Sequence, residues 1–559
     1  MTDTTRWYAV AFGAGLAALL LRMLLLLLGS SVTPRLSAFF LKHVSYPLLV
    51  DRRYGPTTTR FQAVLILLYF SVNVAVLFLF TRSADDIQKR SAALAVINIS
   101  PLPFIGQINA LADWLGLSTA VHLLGHRIIG TTSIFHALVH TGIALKLQPR
   151  FSAITYSGFV ASGASLCILV IAVLKLWIRV SLWIHALLGL AVLGGIVWHL
   201  LLLSPVSLDS KVAVGAALAL LLLSGIIRVC RVVFFSPTAR VTQVYIDDTG
   251  AARFVVSTKT SVRIRPGQHF YVFVAGPSLM SLRAYPLIPM PSGHNLQQEN
   301  RDLMFCVADP PRSIRALQVT QRLRLDGPYG PDLHLETCEN LVLAAQGVGI
   351  LSILPIALYF AERKWQDFQI VKTAAGSEAL EAELREAEAE RSKKEREHRP
   401  ADQIDLTNLK DKISQLTQQL QAKRSAREPC FRDLTRRITI LWLLDHNSQA
   451  RWVEKQIQLL QELDPENTLV VLWCIFPSPN TEEPLFRTSN YFVCLYPPAP
   501  DFRDLFRDRL EKEVQTPGEL AVVSCGDRSF RKIIRSEVIQ SLNARRLILL
   551  LDINQNSKQ

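Results

Sequence analysis

The chain has 559 residues, carries 60 Lys+Arg against 46 Asp+Glu, and is 50% hydrophobic. At roughly 100 to 200 residues per domain this length excludes a small secreted scaffold and implies three or four structural units, and apolar residues bunched into long uncharged runs exclude a disordered chain and a purely soluble globule. The net charge of +14 is scattered over loops and the flanks of apolar runs, without a basic stripe interleaved with aromatics, so we expect membrane lipid and no nucleic acid as its surroundings.

Crossing a hydrocarbon core of about 30 Å takes about 20 apolar residues as a helix. In chain order, such runs lie near residues 7–29, 61–80, 92–112, 120–144, 154–174, 181–203 and 212–234. The first is too long for a cleaved signal and is interrupted by Arg22, so it reads as an uncleaved anchor. The third is broken by Pro101 and Pro103 and holds Gln107 and Asn109. Arg35, Lys42, Arg52, Arg53 and Arg60 after the first run, and Arg228, Arg231 and Arg240 around the end of the last, put both segments in the cytosol by the positive-inside rule. Of eight cysteines, six fall beyond the last span, with no CxxC pair or zinc spacing. That pattern fits a reducing compartment, without a disulfide framework or structural metal.

Ionisable side chains at bilayer depth are costly and are functional by default, and six histidines sit there: His122, His126, His136, His140, His185 and His199. His126 and His140 are 14 residues apart, as are His185 and His199. Fourteen steps of a helix rise about 21 Å and return within about 40° of whole turns, so each helix shows two imidazoles on one face, one near each leaflet. Two such helices face to face make two stacked bis-histidine sites, the geometry of a pair of b-type haems, and the chemistry implied is one-electron transfer across the bilayer. His122 and His136 share the same spacing, so this geometry leaves two registers open.

The stretch INISPLPF at 97–104, then His126-Arg127-Ile128-Ile129-Gly130 and Ala137-Leu138-Val139-His140, resembles the transmembrane core of fungal ferric reductases and, more distantly, of NADPH oxidases. In that family the histidine of the His-Arg-x-x-Gly element holds haem, so the resemblance implies His126 with His185 for an inner haem and His140 with His199 for an outer one. It extends over nearly everything beyond residue 90.

Residues 238–336 alternate apolar and polar over short strands, with turns at Asp248-Thr249-Gly250 and Arg265-Pro266-Gly267, which predicts a small antiparallel barrel. Pro266-Gly267-Gln268-His269-Phe270 resembles the Pro-Gly-Gln-aromatic turn of ferredoxin-reductase-like flavin domains, and Arg283-Ala284-Tyr285-Pro286-Leu287-Ile288 falls where that family binds FAD. An aromatic ring to stack on the isoalloxazine and a guanidinium for the diphosphate are what this site requires, and Tyr285 and Arg283 are of those types. Leu287 and Ile288 supply no hydroxyl beside the flavin ring. Ser313, in Pro310-Pro311-Arg312-Ser313, is expected to cap a helix and meet a phosphate.

The strand Leu341-Val342-Leu343-Ala344-Ala345 then runs into Gln346-Gly347-Val348-Gly349-Ile350. Glycines at such a turn let backbone N–H groups approach a diphosphate. With Gly327-Pro328-Tyr329-Gly330 upstream and Ser524-Cys525-Gly526 near the end, these resemble the nicotinamide motifs of the same family, which implies NADPH at Gly327, Gly330, Gly347, Gly349, Cys525 and Gly526. Gln346 stands where the family has glycine and Asp527-Arg528 where it has proline, a change expected to lower nucleotide affinity. Residues 376–428 interrupt this domain with Glu/Lys/Arg/Gln-rich sequence, in which Leu406, Leu409, Ile413, Leu416 and Leu420 form a two-heptad stripe. A solvated helical hairpin, or self-association or partner docking through 406–420, follows from it. Ile438–Leu444 and Leu469–Phe476 read as buried strands around a helix at Arg451–Leu463.

The chain therefore reads as a multi-pass membrane protein with four parts. These are an anchor and cytosolic loop (1–57), a haem-holding α-helical bundle (58–235) completing about seven spans, a FAD-binding antiparallel barrel (238–336) and an α/β NAD(P)-binding domain (337–559), the last two ferredoxin-reductase-like. By resemblance it is a ferric-chelate reductase of the plasma membrane, taking electrons from NADPH through FAD and two haems to a ferric or cupric chelate. An NADPH oxidase making superoxide, and a membrane scaffold with a decayed dehydrogenase half, are the rival expectations.

Overall fold

The computed structural model describes residues 34–50, 58–79, 81–102, 119–147, 152–174, 178–203, 208–231, 234, 236–246, 250–262, 264–274, 283–291, 300–330, 333–397, 403–425, 430–479, 492–497, 501–543 and 546–553. The first apolar run, 7–29, lies outside them.

After α1 (Pro34–Phe40) and the two short strands β1 (Leu48–Val50) and β2 (Thr58–Thr59), the chain enters six long helices: α2 (Arg60–Phe78), α3 (Ala84–Ile99), α4 (Thr119–Leu147), α5 (Ala153–Leu174), α6 (Ile178–Leu202) and α7 (Leu208–Cys230). Among the described residues four segments are long and apolar enough to cross a membrane: Arg60–Phe78, Val121–Leu147, Ala153–Ala172 and Ile184–Leu202. Their outer faces are apolar and bare, with Leu67, Leu187 and Leu201 at 68%, 64% and 79% exposure, the inverse of a water-soluble bundle. The helix of the interrupted third run is polar at its start. It begins earlier, at a capping box in which Ser83 and Asp86 satisfy each other's backbone N–H groups, and its first turns carry Asp85, Asp86, Lys89 and Arg90. Residues 103–112 of that run lie outside the described residues.

Polar groups and small residues set how these helices meet. Asn98 on α3 donates to Asn73 Oδ1 on α2 at 3.0 Å, and Ser133 on α4 donates to the Ala95 carbonyl at 2.8 Å. A Cβ on Gly195 would stand 2.9 Å from the Ala161 nitrogen, so α5 and α6 pack backbone to backbone along a small-residue seam.

Beyond these helices, seven strands form one antiparallel sheet: β3 (Thr238–Ile246), β4 (Ala252–Val262), β5 (His269–Val274), β6 (Arg283–Leu287), β7 (Pro289–Pro291), β8 (Asn300–Val307) and β9 (Arg322–Tyr329). Their order is β6-β5-β9-β3-β4-β8-β7. The two edge strands are consecutive in sequence, with only Ile288 between them, so the sheet curls until its edges meet and becomes a barrel. Its interior is filled by Phe254, Phe270, Phe305, Leu303, Leu323 and Leu325, each at most 1% exposed.

A parallel sheet follows, made of β10 (Asn340–Gln346), β11 (Arg437–Leu443), β12 (Val470–Ile475), β13 (Phe492–Leu495), β14 (Leu520–Cys525) and β15 (Ile548–Asp552), in the order β13-β12-β11-β10-β14-β15. Strands covered on both faces read as near-continuous apolar runs, and β10 and β14 are buried along almost their whole length. The chain adds β11, β12 and β13 to one side of β10 and β14 and β15 to the other, which creates a switch point between β10 and β14.

Helix α9 (Ile350–Glu397) leaves the glycine turn and continues without a break through the charged segment, returning as α10 (Gln403–Ser425). Leu416 and Leu420 are buried and Leu409 and Ile413 half-buried, while their neighbours are exposed, and Lys412 meets Glu383 of α9 at 3.0 Å. The heptad stripe is thus spent inside the chain, as an intramolecular hairpin, and the insertion has no structural boundary at residue 376.

The segment before α2 docks on the far edge of the parallel sheet. Tyr46 Oη donates to the Ile548 carbonyl at 2.8 Å and accepts from the Leu550 N–H at 3.0 Å, while Arg535 donates to the Tyr46 carbonyl at 2.8 Å. At the other end of the helical part, the Arg231 guanidinium lies 4.6 Å over the Tyr329 ring and 3.6 Å from Asp326, joining the last helix to the barrel.

Candidate functional site

Helices α4 and α6 bring their histidines together in two crossed pairs. The ring centroids of His126 and His185 are 6.1 Å apart with planes at 64°, and those of His140 and His199 are 6.3 Å apart at 82°. Two imidazoles bound through one nitrogen each, at about 2 Å on opposite sides of a metal, have centroids roughly 6 Å apart. Direct hydrogen bonding or ring stacking between partners needs no such gap.

The nitrogens of the second pair are arranged for ligation. His140 Nδ1 is 3.0 Å from the Gln88 carbonyl, and His199 Nδ1 is 2.9 Å from the Ile154 carbonyl. A carbonyl only accepts, so each Nδ1 carries the proton and each Nε2 keeps its lone pair, the state in which imidazole binds iron. Ser157 Oγ, 3.1 Å from the same His199 nitrogen, fixes the orientation further. In the first pair His126 Nδ1 is buried with no hydrogen-bond partner. These donors fit a porphyrin iron at both levels. Among the described residues no group of three or more His, Cys, Asp or Glu could hold a metal ion.

His136 has a separate setting. Its ring is fully buried, with Nε2 3.3 Å from Asn73 Oδ1, in a network that runs through Asn98 to Tyr69. Of the two registers open in the sequence, the structure brings His126 and His140 opposite the histidines of α6 and gives His136 to the α2–α3 contact. His122, buried as well, is not part of either pair.

In the barrel, Tyr285 on β6 and Ser313 are brought together, their hydroxyl oxygens 2.7 Å apart. This corrects the expected capping role of Ser313. The turn α8 (Arg312–Arg315) is four residues long, its N-cap is Pro311, and no side chain caps it, because Ser313 lies within the turn and its hydroxyl turns to Tyr285. Pro286 and Leu287 lie on the same strand, paired with Tyr271 and Phe270, and Ile288 follows at the closure of the barrel. Arg283 sits opposite Val274 in that ladder. Gly327 and Gly330 adopt φ of +149° and +120° where β9 ends against the Gly267 turn. Those φ values and the backbone contacts there leave no space for a side chain.

His269, in the turn expected beside the flavin, packs 5.4 Å from Tyr271 and 6.1 Å from Tyr329. Burial pushes its imidazole down to about 4. Between pH 6.5 and 4 the unfolded chain then holds a proton that the folded chain does not. Barrel stability is full above pH 6.5 and lost as pH falls towards 4, by on the order of 3 kcal/mol from this group. Melting temperatures measured from pH 7 to 4 are expected to fall less steeply in His269→Gln than in the wild type; parallel curves would contradict this.

At the switch point, Gly347 (φ +49°) and Gly349 lie against Asp445 and the Cys525 carbonyl, and Gly526 packs against Gln346. Of the six residues expected at the nucleotide, Gly327 and Gly330 lie at the end of β9 in the barrel, while Gly347, Gly349, Cys525 and Gly526 are gathered at the C-terminal ends of β10 and β14, the position where open parallel sheets bind ligands. Asp445 joins them there, a residue the sequence reading missed. Its signal was its place directly after the second strand of the sheet.

No protein-family profile and no curated protein matches the chain. Among solved structures it is similar to a flavohaemoglobin from Malassezia yamatoensis with bound FAD and haem, at 14% identity over 84% of this chain and 97% of that one, with a TM-score of 0.36. It is also similar to a ferredoxin NADP+ reductase from Neisseria gonorrhoeae with bound FAD and NADP (11% identity, 57% and 98% covered, TM-score 0.31). A third is the pair of CS and b5R domains of human Ncb5or in its NAD+ form (12% identity, 56% and 69% covered, TM-score 0.33). At these scores none bears on the residues of the sites.

Proposed function

We propose that the chain is a multi-pass membrane oxidoreductase that moves single electrons from a cytosolic nicotinamide nucleotide, by way of FAD and two b-type haems, to a ferric or cupric chelate across the plasma membrane. The observation that carries this reading is the double crossing of His126 with His185 and His140 with His199, at 6.1 and 6.3 Å, on two facing helices. When bound, the haem irons supply a one-electron couple and the flavin converts a two-electron donor into single-electron steps.

The chain's own residues do the rest. The carbonyls of Gln88 and Ile154 hold the His140 and His199 rings in the ligating tautomer and raise their basicity. His126 with His185 and His140 with His199 would hold the haems, and two imidazoles per haem would leave no site for oxygen or substrate to bind. Tyr285, held by Ser313, offers an aromatic face to the flavin. Tyr46 and Arg231 tie the parallel sheet and the barrel to the two ends of the membrane part, so the soluble half stays against the cytosolic face.

Vesicles reconstituted with the purified protein and FAD, loaded with a ferric chelate and a ferrous indicator, test this. NADPH or NADH added outside is expected to produce ferrous colour inside. Superoxide in place of ferrous colour would assign the oxidase reaction, and haem that neither nucleotide reduces would reject the electron path.

A further inference from the structure

The switch point between β10 and β14 is bridged by the chain's own side chains. The Asp527 N–H donates to Gln346 Oε1 at 3.2 Å, and Gln346 Nε2 donates to Asp445 Oδ1 at 3.4 Å. One amide therefore spans from the end of β11 to the start of α11 (Arg528–Ser541). Asp445 is steadied from below, its N–H donating to Gln449 Oε1 at 2.8 Å and its Oδ2 accepting from Gln449 Nε2 at 3.4 Å. A Cβ on Gly347 would stand 1.8 Å from Asp445 Oδ2, so the carboxylate fills the space that the glycine leaves bare. At the helix, Asp527 caps its own first turn, accepting from the Phe530 N–H at 2.8 Å.

A diphosphate at such a turn needs open glycine backbone, free N–H groups and no competing negative charge. Here the glycine face is covered by Asp445, the Asp527 N–H is taken by Gln346, and two carboxylates flank the gap. We infer that Gln346 and Asp445 form a closure over the dinucleotide site, which the nucleotide displaces in order to bind, and that these two residues set its affinity for NAD(P)H low. This rests on the reading that a nicotinamide nucleotide is the donor. Both are positioning residues: neither takes part in hydride transfer, and their cost falls on binding. Displacing two hydrogen bonds and bringing phosphate beside a carboxylate is worth about tenfold or more in affinity.

The test is anaerobic titration of the purified full-length holoprotein with NADPH and with NADH, following flavin bleaching in the wild type, Gln346→Gly and Asp445→Asn. In both variants half-saturation is expected to fall about tenfold with the limiting bleaching rate unchanged. Half-saturation that is unchanged or raised in both variants overturns the closure, as does a change confined to the limiting rate. A wild type that neither nucleotide bleaches supports it if the variants bleach and overturns it if they do not. Circular dichroism of the same samples reports folding, and dithionite-reduced spectra keep the two readings separate: a folded protein without haem bands rejects the histidine-pair reading while the flavin titration still decides the closure. If Gln346→Gly fails to fold, Asp445→Asn alone carries the result.

Discussion

Replacing His126 or His185 by alanine is expected to lower haem content from two per chain to one and to abolish reduction on the far side of the membrane. On the proposed reading each haem would be held by one histidine from each of two helices, whose ring centroids lie 6.1 Å apart at one level and 6.3 Å at the other. Losing either histidine of a level would leave its haem held from one helix alone. His140→Ala and His199→Ala are expected to do the same at the second level. His136→Ala, which removes the ring that meets Asn73, is expected to keep both haems and lower stability alone. Haem-to-chain ratios on purified variants check this; a His136→Ala protein with one haem and a His126→Ala protein with two would reverse the register.

The second large effect is on stability. Asp433→Ala is expected to cost about 3–5 kcal/mol and lower the melting temperature by roughly 10 °C. Arg363 on α9 meets Asp433 through two parallel contacts, Nε to Oδ2 at 2.5 Å and Nη2 to Oδ1 at 2.6 Å. Both side chains are nearly buried, at 11% and 13% exposure. The same guanidinium donates to Tyr359 Oη at 2.8 Å and lies 4.2 Å over the Phe431 ring. Removing the carboxylate leaves a cation without its partner in a poorly solvated place. The position explains why the pair exists. Asp433 lies on the strand-ward return from the α9–α10 hairpin, and Asp367 on the same face of α9 accepts the N–H groups of Phe431 and Arg432. The long insertion is thus cross-tied where it re-enters the domain. Replacing both partners, as Arg363→Leu with Asp433→Leu, is expected to recover much of the loss; a double variant no better than Asp433→Ala would show that the packing, and not the stranded charge, carries the effect.

Which parts of this were legible in the sequence follows from how local each signal is. The 14-residue spacing is a property of one helix at a time, so the stacked pairs could be read from residues 126–140 and 185–199 alone. The register could not, because it depends on Asn73, which holds His136 from 63 positions away. The heptad stripe on α10 was visible, but its partner was not. α9 runs unbroken from the glycine turn into the charged segment, so the change of composition at 376 marks no change of backbone, and the stripe closes on its own chain. Ser313 was expected to cap a helix from its motif alone, and the structure places its hydroxyl on Tyr285, 28 residues earlier. Gln346 and Asp527 stood out as departures from a pattern, whereas Asp445 completes their bridge from a strand 99 residues on, a distance that no spacing rule spans.

Haem content of the purified wild-type chain, with its dithionite-reduced visible spectrum, tests the central claim most directly. The double histidine crossing calls for two haems per chain with b-type absorption bands, and a protein that purifies folded yet without visible absorption from haem would contradict it.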